Sequence, residues 1–193
     1  MKLILSSCDF KNEKSKQVIL ENLGMPIEDC KVLFIPNEKA NIRRIKNKKY
    51  IPRLLEAGFS EENISVFNYY DCEPFFGRNF DAVYIGGGNT FGTFERLLEC
   101  NFTEEIVRMV KNGVVYIGGS AGAHIACPDF SHVAKYDENN TSLTDFKGLN
   151  LFDGYLICHF TEDRREYFEE LKKHHKKVLA LTDEDAIVYE RDT

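Results

Sequence analysis

The stretch Tyr116-Ile117-Gly118-Gly119-Ser120-Ala121-Gly122-Ala123 (YIGGSAGA) closes an apolar run that begins at Val114, and it sets one serine among small residues. A short apolar run bounded by glycines predicts a buried strand, and the small residues after it predict a sharp turn into a helix. Gly118 and Gly122 flank Ser120 at the G-x-S-x-G spacing, in which small neighbours relieve crowding around a strained elbow. Such an elbow lifts a hydroxyl off the sheet edge and aims the first helical amides at a reacting carbonyl oxygen. A plainer reading competes: GGSAG is also a tight turn whose serine caps the next helix.

Outward from this stretch, four more apolar runs read as strands, at Lys2–Ser6, 31–36, 64–68 and 81–86, with the serine strand itself at 114–118. Between them, residues 50–57, 91–100 and 104–111 repeat apolar side chains at helical spacing, and Gly58 follows the first of these as a helix stop. Strands alternating with helices predict the α/β class, a mostly parallel sheet flanked by helices. Ligands of such sheets bind outside the carboxyl ends of the strands, which selects two loops: Gly86-Gly87-Gly88-Asn89-Thr90 and the serine loop.

The 193 residues fit one domain over 1–193, and 43% hydrophobic with 29% charged residues fits a globular chain. No apolar run approaches the ~18 residues needed to cross a bilayer, so no membrane is expected. A net charge of -6 argues against nucleic acid, which needs a basic face. The basic stretches 43–49 and 172–177 read as solvated helix faces or loop edges. Six scattered cysteines without a CxxC pair suggest neither a disulfide framework nor a zinc site, and Met1-Lys2 leads into an apolar run too short for a signal peptide. The expected compartment is the cytoplasm.

Three glycines after a strand allow close backbone approach to a ligand, so the 86–90 loop is a candidate source of a second oxyanion donor. It lacks the GxGxxG spacing of a dinucleotide site and the Gly-Lys-Ser/Thr ending of a phosphate loop. A nucleophilic serine also needs a base. His124 lies one helical turn past Ser120 and points along its own helix; His132 sits in a loop; His174 and His175 belong to a lysine-rich helix end. His159 ends the run Tyr155-Leu156-Ile157-Cys158, so it is expected at a strand end on the same sheet edge as Ser120, and it ranks first. Asp129, Asp137, Glu138, Asp145, Asp153 and Asp163 are all candidates to orient it, and spacing does not choose among them.

GGGNTF at 86–91, GGSAGA at 118–123, a polar segment holding Tyr136-Asp137, and Leu149-Asn150-Leu151 leading to Cys158-His159-Phe160 together resemble peptidase family S51, the aspartyl-dipeptidase-like serine peptidases. The resemblance covers most of the chain. It implies a class I glutamine amidotransferase-like fold, a flavodoxin-like three-layer sandwich, with serine in place of cysteine as nucleophile. It further implies Ser120 as nucleophile, His159 as general base, Asp137 or the adjacent Glu138 as the acidic member, and Gly88 and Ala121 as oxyanion donors. Asn89 and Arg165 are the implied substrate contacts, Arg165 for a substrate carboxylate with Arg164 second, since a guanidinium donates two parallel hydrogen bonds. The opposite reading pairs both arginines with neighbouring glutamates.

The chain departs from the family pattern at Gly119, where a bulky residue is usual, and at Cys158, where proline is common. It also closes at residues 186–193, where relatives continue for another strand or two, as a short member or a truncated chain would. The activity implied is hydrolysis of small peptides, including those with amino-terminal Asp, through an acyl-enzyme. No metal and no organic cofactor is implied; the partner is a small peptide, and a homodimer is compatible with the pattern. The competing expectation is a non-catalytic small-molecule or protein-binding module on the same fold.

Overall fold

The computed structural model describes residues 1–192; Thr193, the last residue of the expected domain, lies outside the described residues. In chain order the elements are β1 (Lys2–Ser6), α1 (Glu13–Asn22), β2 (Val32–Ile35), α2 (Ile42–Lys46), α3 (Ile51–Ala57), β3 (Ile64–Val66) and β4 (Ala82–Ile85). There follow α4 (Thr90–Glu99), α5 (Thr103–Lys111), β5 (Val115–Gly119), α6 (Ala121–Ile125), β6 (Tyr155–Ile157), α7 (Arg165–His174), β7 (Val178–Ala180) and β8 (Ala186–Glu190). Short 3-10 turns punctuate the connections.

The main sheet has six strands in the order β3-β2-β4-β5-β1-β8, all pairs parallel except β1 with β8. Strand alternation divides the core into two layers. Leu3, Leu5, Val83, Ile85 and Tyr116 face Phe91, Phe94 and Leu97 of α4, Ile106 and Met109 of α5, and Ala123 of α6. Ile4, Val32, Tyr84 and Ile117 face Ile19 of α1 and Leu54 and Ala57 of α3. Burial of both strand faces accounts for the unbroken apolar runs of the sequence. No helix among the described residues is long and apolar enough to cross a membrane.

One expectation needs correction. The run ending at His159 forms β6, but β6 is not part of the main sheet: it pairs in parallel with β7 as a separate two-stranded sheet. Its connection to the serine edge is made by side chains. Ser7, at the end of β1, donates from Oγ to the Leu181 carbonyl at 2.8 Å and accepts from the His159 amide at 3.0 Å.

Candidate active site

Because β4, β5 and β1 are adjacent, with Ile85 opposite Gly118 and Ser6 opposite Gly119, their carboxyl ends bring three loops together. These are the triglycine loop, the serine elbow and the Ser7-Cys8-Asp9 turn. Ser120 sits at φ +48° and ψ -106°, a strained conformation for a residue with a side chain, and it caps α6 through its carbonyl rather than its hydroxyl. The Ala123 and His124 amides donate to that carbonyl at 2.9 and 3.1 Å, which leaves Oγ free. Gly122 is required by close approach: a Cβ there would stand 2.1 Å from the Ile85 carbonyl oxygen of β4.

Ser120 Oγ lies 2.9 Å from His159 Nε2, and His159 Nδ1 lies 2.5 Å from an Asp183 carboxylate oxygen. A carboxylate on Nδ1 favours the Nδ1–H tautomer, leaving the Nε2 lone pair to accept the serine proton. Hydrogen bonding to His159 holds the Asp183 carboxyl below the usual carboxylate range. Asp183 follows β7 in a turn fixed by Asp185, whose Oδ2 accepts from both the amide and the hydroxyl of Thr182 at 2.7 Å.

Neither Asp137 nor Glu138, the carboxylates expected from the sequence, faces His159. Asp137 Oδ2 accepts from the Thr90 amide at 2.8 Å, where the exposed N–H groups at the start of α4 attract an anion. Glu138 is exposed, and its carbonyl accepts from Asn89 Nδ2 at 2.9 Å. Asp183 carries a readable signal: Val178-Leu179-Ala180-Leu181 is an apolar run followed by a polar turn, the same pattern that precedes His159.

The Ala121 amide opens α6 and so has no intrahelical acceptor. Gly88, at φ +158°, makes no backbone hydrogen bond among the described residues, and a Cβ on its neighbour Gly87 would sit 3.4 Å from the Ser120 Cβ. Both loops therefore border the same hydroxyl. His124 is buried, with Nε2 accepting from the Cys158 amide at 3.4 Å and Nδ1 3.5 Å from the Thr90 hydroxyl. Burial pushes its pKa well down, so it stays neutral and supports the His159 segment from behind. His132 is buried too, donating from Nε2 to the Leu156 carbonyl at 2.8 Å.

With this geometry in place, the sequence profile of Peptidase family S51 matches residues 3–193. The chain belongs to Peptidase family S51. Among its relatives, Peptidase E of Escherichia coli is 38% identical over 87 residues, which cover 44% of this chain and 36% of that protein. Peptidase E of Nostoc is 38% identical over 84 residues, covering 44% and 34%, and an uncharacterized peptidase of Pasteurella multocida is 36% identical over 83, covering 42% and 40%. The matches thus span well under half the length of these curated relatives. A solved candidate peptidase E from Listeria monocytogenes shares the fold at TM-score 0.76 with 21% identity, over 97% of this chain and 93% of that one. A peptidase from an acI-B1 actinobacterium does so at 0.54 with 14% identity, over 97% and 82%.

Both substrate contacts implied by the family resemblance are engaged elsewhere in this S51 chain. Asn89 Oδ1 accepts from the Gly92 amide at 2.9 Å as the cap of α4, and Nδ2 is held by the Glu138 carbonyl. Arg165 forms a forked pair with Glu162, both contacts at 2.6 Å, one helical turn away. Arg164 is the more enclosed arginine. It donates to the Cys158 carbonyl at 2.7 Å, and its guanidinium stands 4.0 Å over the Tyr136 ring.

The unusual Gly119 has a local cause. A Cβ there would lie 2.5 Å from Asp9 Oδ2, and the Asp9 side chain is only 2% exposed. Asp9 accepts from Arg53 Nη2 at 2.9 Å, and the same nitrogen donates to the Tyr84 hydroxyl at 3.0 Å. This buried acid packs directly beneath the serine elbow. No sequence motif announces it, since Asp9, Arg53 and Tyr84 come from three distant segments. Cys8 beside it is pushed up to about 11 by burial and by Asp183, so its thiol is neutral.

Proposed function

We propose that the chain is a serine-type peptidase that hydrolyses small peptides through an acyl-enzyme, with Ser120 as nucleophile, His159 as base and Asp183 as the carboxylate that orients it. The reading rests above all on one observation: Ser120 Oγ, His159 and Asp183 form an unbroken hydrogen-bonded series at 2.9 and 2.5 Å on a strained elbow. In the proposed cycle Ser120 attacks the peptide carbonyl as Nε2 takes its proton. The Gly88 and Ala121 amides stabilise the oxyanion, His159 returns the proton to the leaving amine, and water repeats the sequence on the ester. Family membership and the names of the relatives support the same reaction class.

A preference for amino-terminal Asp requires Arg165 to exchange Glu162 for the substrate, so small peptides as a class are the proposed substrates. The test is fluorophosphonate labelling of the folded protein, alongside a dipeptide panel with and without amino-terminal Asp. Labelling at Ser120, abolished in Ser120→Ala together with hydrolysis, is expected. An unlabelled Ser120 in folded protein, with no dipeptide cleaved, would overturn the reading in favour of a binding module.

A further inference from the structure

The Asp183 carboxylate holds Nδ1 of His159, the ring nitrogen turned away from Ser120, and the Cys8 thiol is a close neighbour of that carboxylate. Cys8 Sγ, a ring nitrogen of His159 and a carboxylate oxygen of Asp183 all lie within 4.8 Å of one another. We propose that Cys8 Sγ, His159 Nδ1 and Asp183 form an inhibitory site for a borderline-soft divalent cation, Zn²⁺ in the first place.

The donor set is sulfur, nitrogen and oxygen, which tetrahedral zinc accepts, with the fourth position left to water. Bond lengths of ~2.0–2.3 Å set ligand atoms roughly 3.3–3.6 Å apart in that geometry. Reaching that geometry requires the His159 and Asp183 side chains to turn, and at 41% and 63% exposed they have the room to do so. The approach to the cation is therefore open. Three different turns supply the ligands, those after β1, β6 and β7, so no CxxC-like spacing marks the site in the sequence.

The chemistry of inhibition follows from the tautomer. A cation on Nδ1 displaces the proton held there and breaks its hydrogen bond to Asp183. The neutral ring then carries its proton on Nε2, which donates to Ser120 Oγ and cannot accept from it. The balance is one hydrated Zn²⁺ bound, with thiolate and carboxylate offsetting its two charges, and one proton released from the Cys8 thiol to solvent. The ring proton moves from Nδ1 to Nε2 without net change. The inhibitory consequence rests on the assignment of His159 as base, whereas the binding does not.

Two measurements on the full chain keep these apart. Cobalt(II), titrated into chelator-treated protein, should give a thiolate-to-cobalt charge-transfer band saturating at one equivalent. Cys8→Ser, checked by thermal melting for an intact fold, should lose the band. In peptide hydrolysis, Zn²⁺ should inhibit the parent protein, and the half-inhibitory concentration should rise by about 100-fold in Cys8→Ser, given that even loss of an outer-shell partner costs ~10–100-fold. No band in the parent protein, or a band that persists in Cys8→Ser, overturns the site. A band with unimpaired hydrolysis overturns the inhibitory role. If no peptide is cleaved at all, the cobalt titration still decides the binding.

Discussion

Replacing Asp183 with asparagine tests the site where sequence and structure diverge. Asparagine keeps the size of the side chain but loses the negative charge, and its amide N–H can donate to Nδ1 and move the ring proton to Nε2, so the lost charge sets the minimum effect. That charge matters most when Nε2 has taken the serine proton and the ring is an imidazolium. Opposite charges about 4 Å apart interact by ~1 kcal/mol in bulk water and ~4 kcal/mol at a protein surface of effective dielectric 20. The Asp183 side chain is 63% exposed, which places the pair between these limits. A loss of at least roughly 2–3 kcal/mol corresponds to a fall of about 30- to 150-fold or more in kcat. KM should change little, because the stabilisation is confined to the transition state.

Asp137→Asn is the matched control. Its carboxylate sits at the N-terminus of α4, where a charge contributes ~0.3–1 kcal/mol, so the loss in kcat should stay within about fivefold. Steady-state kinetics of both variants on one dipeptide give the comparison. A larger loss for Asp137→Asn than for Asp183→Asn would refute the assignment of Asp183.

Gly119→Ala places a methyl 2.5 Å from Asp9 Oδ2, and should cost about 1–3 kcal/mol in denaturant unfolding along with at least ~10-fold in kcat; wild-type values for both would remove the packing argument. Asp9→Ala strands Arg53 and the Tyr84 hydroxyl. With Arg53 38% exposed, the expected loss is roughly 2 kcal/mol, below the ~3–5 kcal/mol of a fully buried pair, and an unchanged unfolding midpoint would contradict it. His124 and His132 are buried with pKa values pushed down by burial, so the unfolded chain binds more protons below about pH 6.5 and stability must fall as pH drops through that value. The slope should reach ~1.4 kcal/mol per pH unit for each histidine, and His124→Asn should remove about half of it; stability independent of pH between 7 and 5 would refute neutral burial.

The strands β1, β2, β4 and β5 and the helices α3, α4 and α5 were legible because each is a local pattern. A strand buried on both faces must be apolar throughout, and a helix with one covered face must repeat at its own period. Ser120 was legible for a similar reason: an elbow needs small residues at fixed offsets, and Gly122 cannot carry a Cβ against the Ile85 carbonyl. His159 was reached by its place at a strand end, although that strand belongs to the smaller sheet.

Local pattern alone therefore determined the α/β class, the serine elbow and the histidine. The tertiary structure decided which carboxylate meets the histidine, why Gly119 is small, and what stands beside His159. Asp183 faces His159 because Ser7 ties the ends of β6 and β7 to β1, while Asp137 is drawn to the free amides at the start of α4. A side chain's partner across 24 or 47 residues depends on how loops pack, and spacing along the chain carries no record of that.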